Sequence, residues 1–189
     1  MNDNNILAVI LAGGKSKRFG EDKNLAKLGS ISLIEHTIYK IREKFKKILI
    51  IANNDLKVEK FKDIEIIPDH IKGNLGPLVG VLTAMKWAKN SKENYKWIAT
   101  FPSDTPFFDS SIIEKYKKKI IKNDSPLYFV RSDDKRHNIF GLWSLDLLDI
   151  LEKDIVKNNF RKVEDWANKI GVKTINIKFK KFDPFLNIN

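Results

Sequence analysis

The sequence predicts an α/β protein: a doubly wound, mostly parallel, Rossmann-like sheet with helices on both faces. Three observations lead there. Short apolar runs rich in β-branched or aromatic residues recur through the first hundred positions, as strands covered on both sides require. Stretches with helical periodicity stand between them. No internal repeat, low-complexity tract or Pro/Gly/Ser-rich linker interrupts the pattern, so residues 1–189 are expected to form a single domain.

The apolar runs are Ile6–Leu11, Lys47–Ala52, Ile64–Ile67 and Trp97–Phe101. After the first, Ile34, Ile38, Ile41 and Phe45 fall at steps that place them on one helix face. Leu78, Leu82, Met85 and Trp87–Ala88 predict a second helix. Ile112, Ile113, Tyr116 and Ile120 predict a third, with Asp109 or Ser110 placed to cap its start. Beyond Asn123 the rhythm changes: Leu127–Arg131 and Ile139–Trp143 read as a strand pair joined by a polar connection, Ser132 to Asn138. Helices around Leu145–Lys157 and Arg161–Ile170 follow, then a strand at Val172–Lys178.

Composition narrows the class. Of 189 residues, 42% are hydrophobic and 31% charged, ordinary for a globular protein with a substantial core. No apolar stretch approaches the ~18–20 residues of a membrane span. The start, Met1-Asn2-Asp3-Asn4-Asn5, is polar and unlike a signal peptide, so a cytoplasmic location without membrane contact is expected. With 0 cysteines, disulfides and thiolate metal sites are excluded. The net charge of +11 has two readings, nucleic-acid binding or a lysine-rich solvated surface. Aromatics are not interleaved with basic runs such as Lys117-Lys118-Lys119, as stacking platforms would require, so no nucleic-acid partner is expected. A basic surface also favours a small anionic substrate.

Open parallel sheets bind ligands beyond the carboxyl ends of their strands. Four segments converge there: the loop after residue 12, Asn53-Asn54, Pro68-Asp69 and Ser103-Asp104. The first contains Gly14-Lys15-Ser16, which suggests a P-loop. That motif needs another glycine at position 9, where the chain has Val9 inside a strand, and the dinucleotide fingerprint G-x-G-x-x-G is absent too. What remains is Leu11-Ala12-Gly13-Gly14, then Ser16, Arg18, Phe19-Gly20 and Asp22-Lys23. Adjacent glycines let the backbone turn sharply and approach a ligand, and their amides can cradle phosphate oxygens. Arg18 offers a planar fork and Lys23 a point charge for a polyphosphate; the alternative is a Gly-rich turn with surface cations.

The remaining segments carry paired readings as well. Asp104, at a strand's carboxyl end, suits Mg²⁺ held through oxygen, or caps a Pro-led turn. Asp69 serves a ligand or a turn. Gly76-Pro77-Leu78-Val79-Gly80 opens a helix, with Pro77 suited to its first turn. Its small residues admit either a flat base or close packing. His137, in Arg136-His137-Asn138, is a site residue or a solvated loop histidine.

The spacing L-A-G-G-x-S-x-R-F-G-x-D-K resembles that of nucleotidyltransferases that activate a small phosphorylated acceptor with an NTP. Taken with Pro68-Asp69, Gly76–Gly80 and Pro102-Ser103-Asp104-Thr105-Pro106, the set is most similar to the molybdenum cofactor guanylyltransferases. The resemblance covers nearly the whole chain and is strongest over residues 6–107. It implies a nucleotidyltransferase-type fold and transfer of GMP from GTP to molybdopterin. It also implies Mg²⁺ on Asp104, with Lys23 and Arg18 on the phosphates. The nucleotide would be held by Leu11, Ala12, Gly13, Gly14, Lys23, Asn53, Asp69, Gly76, Pro77, Gly80 and Asp104. On this reading residues 1–107 form a nucleotide-binding part and residues 108–189 an acceptor part. His137 and Asn187 fall on the pterin side, although this chain has His-Asn where members tend to have His-Pro. Members usually continue past the F-x-N-x-N segment, here Phe185 to Asn189, with Thr-Pro and a last helix; the present sequence ends at Asn189. Transient contacts with other cofactor-assembly proteins are expected. The alternatives are a sibling transferase using CTP or a sugar or polyol phosphate acceptor, and a non-enzymatic nucleotide- or nucleic-acid-binding protein.

Overall fold

In the computed structural model the described residues are 5–13, 25–54, 56, 58, 61, 63–73, 75–179 and 182–188. Among these described residues nine strands and five α-helices follow in chain order: β1 (Ile6–Leu11), β2 (Lys27–Leu28), β3 (Ile31–Ser32), α1 (Leu33–Ile41), β4 (Ile48–Ile51), β5 (Ile64–Ile67), α2 (Pro77–Asn90), β6 (Trp97–Pro102), α3 (Ile112–Lys122), β7 (Leu127–Ser132), β8 (Lys135–Ser144), α4 (Leu148–Val156), α5 (Val163–Ile170) and β9 (Lys173–Ile177). Seven strands form one sheet in the order β5-β4-β1-β6-β8-β7-β9, and β2 and β3 form a small separate ribbon. Every pairing in the large sheet is parallel except the two made by β8. The mostly parallel, doubly wound sheet expected from the apolar runs is thus observed.

Alternation along β1 builds two cores. Ile6, Ala8 and Ile10 point to one face, where α1 and α3 bury Ile34, Ile38, Ile41, Ile112, Ile113 and Tyr116. Leu7 and Val9 point to the other, against Leu78, Leu82 and Met85 of α2, Leu151 and Ile155 of α4, and Trp166 of α5. A strand apolar on both faces has no solvent side, which is why these runs lack polar alternation.

Local signals set several boundaries. At the start of α1, Ser32 donates both its amide and its hydroxyl to Glu35 Oε2, each at 2.7 Å. Neither candidate ahead of α3 is its N-cap, which is Ser111; Asp109 instead fixes the turn into the helix, its carboxylate accepting from the Ser111 amide at 2.8 Å and hydroxyl at 2.7 Å. These bonds hold the Asp109 pKa below its ordinary value. Leu145–Leu147 form a 3₁₀ turn before α4, so the α-helix there starts later than its periodicity suggests.

The β7–β8 connection differs from expectation. Ser132 pairs with Lys135, so the turn is Asp133-Asp134 and not the whole of Ser132 to Asn138. Asp133 takes a positive φ of 46°, which aspartate tolerates better than most residues. Lys135, Arg136 and His137 belong to β8. Phe129 and Val130, adjacent in β7, face Gly141 and His137, so Asn138, Ile139 and Phe140 bulge out of register.

Candidate active site

The sheet order puts the topological switch at β1: the chain runs outward from it to β4 and β5, then returns to its other side as β6. The crevice opens at the carboxyl ends of these strands. The ladder stays closed to its last rung there, with the Ala12 amide donating to Ile51 O at 2.9 Å and the Ala52 amide to Ile67 O at 3.0 Å. Because β8 runs against β6, its first residues lie at this same edge.

A cleft of about 690 Å³ results. One wall is Leu11, Ala12 and Gly13 with Pro77; the floor carries Ser103 and Asp104 after β6. The opposite wall is the start and bulge of β8, Lys135 to Phe140, with Lys162 and Glu164 at the start of α5 and Asn187 from the C-terminal segment. Seven of the residues expected from sequence therefore share one cavity: Leu11, Ala12, Gly13, Pro77, Asp104, His137 and Asn187. Gly14, Arg18 and Lys23 lie outside the described residues.

Asn53, Asp69 and Gly80 stand behind the first wall. Asn53 Nδ2 donates to Asp69 Oδ2 at 2.9 Å, and the Asp69 amide donates back to Asn53 Oδ1 at 3.0 Å. The pair ties the ends of β4 and β5. A Cβ on Gly13 would stand 3.8 Å from Asp69 Oδ2, so that carboxylate borders the glycine loop. Gly80 is buried in α2, and a Cβ there would come within 3.0 Å of Leu11 Cδ2. Its contacts are those of close helix-on-sheet packing. Gly76 has φ 89°, and Pro77 opens α2 as expected.

The floor and far wall are laced together. Ser103 Oγ donates to Leu11 O at 3.4 Å, joining the loops after β1 and β6. Thr105 Oγ1 donates to Asn187 Oδ1 at 2.8 Å, and the Ile188 amide donates to Asp104 O at 3.0 Å. Arg136 is held in place by Asn138 at 2.8 Å, Asn168 at 2.9 Å and Glu164 at 3.5 Å. His137 is buried, not a solvated loop histidine: its Nε2 meets Ser132 Oγ at 2.5 Å, and its ring stands 4.8 Å from that of Phe185. Burial holds its pKa below the ordinary value, with the Lys135 charge acting the same way and Asp183 opposing.

Nothing in the sequence marks Lys135, Lys162 and Glu164 as site residues. The first hid in what reads as a polar loop. The others precede or begin a helix whose visible signal is its apolar face, and only the antiparallel course of β8 brings them opposite the glycine wall.

The chain matches the family described as the MobA-like NTP transferase domain over residues 8–170. It belongs to that family. Among relatives, it is 36% identical to the molybdenum cofactor guanylyltransferase of Haemophilus influenzae, across 97% of this chain and 93% of that one. It is 32% identical to the enzyme of the same name from Rhizobium meliloti, across 96% and 85%. The solved structure of molybdopterin-guanine dinucleotide biosynthesis protein A from Archaeoglobus fulgidus superposes with a TM-score of 0.71 at 21% identity, covering 90% of this chain and 83% of that one. That likeness shows the shared fold.

Transferases of this MobA-like family use a divalent metal ion. Oxygen ligands suit a hard divalent cation such as Mg²⁺ or Mn²⁺. Among the described residues no three or more His, Cys, Asp or Glu side chains cluster as a ligand set. Asp104 offers a carboxylate at the floor of an open cleft, the arrangement in which one or two carboxylates share Mg²⁺ with substrate phosphates and water. Among the described residues no helix of this MobA-like transferase is long and apolar enough to cross a membrane.

Proposed function

We propose that this protein transfers GMP from GTP to the terminal phosphate of molybdopterin, yielding the guanine dinucleotide form of the cofactor and pyrophosphate. The observation that carries the reading is the shared cleft, in which the Leu11–Gly13 wall and Asp104 face the β8 bulge and Asn187. Its relatives' names supply the reaction. A phosphate oxygen of the acceptor forms a bond to the α-phosphorus of GTP as the bond from that phosphorus to the bridging oxygen of pyrophosphate breaks. The nucleophile arrives ionised, so the protein need supply no covalent intermediate, only positioning and charge neutralisation.

Bound Mg²⁺ would supply charge neutralisation on the triphosphate, and Asp104 is the residue to hold it. The amides of Ala12, Gly13 and Gly14 orient the phosphates, while Lys23 and Arg18 offset their charge. The Asn53–Asp69 pair and the Gly76–Gly80 segment hold the nucleoside. His137 and Asn187 lie on the acceptor side. The enzyme acts on small molecules in the cytoplasm, with passing contacts to other cofactor-assembly proteins.

The test is incubation with Mg²⁺, molybdopterin and each NTP in turn, measuring pyrophosphate and dinucleotide. GTP should give both products and CTP little of either. Equal or greater turnover with CTP, or none without a sugar or polyol phosphate, would replace this assignment with a sibling activity.

A further inference from the structure

Residues 182–188 form a strap on the far side of the cleft, fastened to β7, to the β8 bulge and to the floor. Asp183 Oδ1 accepts from Ser132 Oγ at 3.1 Å and from the Phe185 amide at 2.9 Å. Phe185 is buried, its ring 4.9 Å from Phe140 of the bulge and 4.8 Å from His137. Beyond it the strap reaches the floor, where the Ile188 amide meets Asp104 O.

Thr105 sits where strap and floor meet. Its side chain is fully buried, and its Oγ1 stands 2.8 Å from Asn187 Oδ1 and 3.5 Å from Asp104 Oδ1. A hydroxyl carries one proton, and the shorter contact takes it. Asn187 then has its carbonyl end engaged, which turns its NH₂ group, a donor of two hydrogen bonds, away from Thr105.

We infer that Thr105 is a positioning residue for the acceptor: its hydroxyl fixes the Asn187 amide and fastens the strap to the loop that bears Asp104. The inference rests on the acceptor side of the cleft lying where the proposed function places it. Thr105 thus links the two halves of the site without touching either substrate.

The test compares Thr105→Val, which keeps the shape and removes the hydroxyl, with Thr105→Ser, which keeps it. Thr105→Val should raise the acceptor KM about tenfold or more while kcat falls less than about threefold and the GTP KM moves less than about twofold. Thr105→Ser should return the acceptor KM to within about twofold of the unmodified protein. Hydrogen exchange of the Ile188 amide, read with no substrate present, should quicken in the valine variant and recover in the serine one. An unchanged acceptor KM, an equal rise for GTP, failure of serine to rescue, or unaltered Ile188 exchange would each overturn the inference. Absence of guanylyl transfer by the unmodified protein would instead sink the proposed function, and the exchange measurement would still decide the fastening.

Discussion

Asn53 and Asp69 are joined by two reciprocal hydrogen bonds, side chain to side chain and backbone amide to side chain, across the ends of neighbouring parallel strands. Neither residue lies in the sheet, yet the sheet order makes them neighbours. Asn53→Ala breaks both bonds and frees the Asp69 carboxylate beside Gly13. The GTP KM should rise about tenfold, equivalent to ~1.4 kcal/mol, while the melting temperature changes little because the pair is exposed. Steady-state kinetics alongside a thermal melt measures both.

Asp104→Ala should lower kcat/KM by at least about a hundredfold, the scale expected for losing an electrostatic anchor of the transition state. Its unfolding midpoint in urea should stay close to the parent's. Full activity in this variant would remove Asp104 from the reaction.

Gly141 stands where a Cβ would come within 2.9 Å of the Phe129 ring and collide with Trp143 Nε1. Gly141→Ala should therefore cost about 1–3 kcal/mol through overpacking. For a chain of this size that lowers the melting temperature by about 2–4 °C per kcal/mol. Scanning calorimetry reads the shift.

Tyr116 is fully buried, and its hydroxyl has no hydrogen-bond partner among the described residues, so burial raises its pKa far above the usual range. Tyr116→Phe removes a desolvated polar group and keeps the ring. Denaturant unfolding should find this variant as stable as the parent or more so.

The buried ring of His137 has a pKa below its ordinary 6.5. The unfolded chain binds the proton more tightly than the folded one. The stability contributed by keeping His137 neutral is present above about pH 6.5 and is lost as pH falls through that value toward the folded pKa. Between about pH 7.5 and pH 5.5, the urea midpoint of the parent should drop more than that of His137→Gln.

Much of this was legible in the residues. Apolar runs mark strands buried on both faces, and the parallel order follows from the helices between them. That order alone brings Gly13, Asn53, Asp69 and Asp104 to one edge. The second half resisted the same reasoning. Lys135, Arg136 and His137 are polar because one strand end borders an open cleft, so alternation fails and the segment reads as a loop. The bulge at Asn138–Phe140 has no local signature, since it arises where β8 leaves β6 and keeps its pairing with β7. β2 and β3 are two residues each, too short for any period to register. The union of Thr105 with Asn187 spans 82 positions and depends on the strap's packing over Phe140.

Isotope tracing tests guanylyl transfer most directly. With molybdopterin, Mg²⁺ and GTP labelled at the α-phosphate, the label should appear in a pterin dinucleotide. With GTP labelled at the γ-phosphate, it should appear in pyrophosphate alone. A γ-label found on the acceptor or as inorganic phosphate, or an α-label that never joins the pterin, would contradict the account.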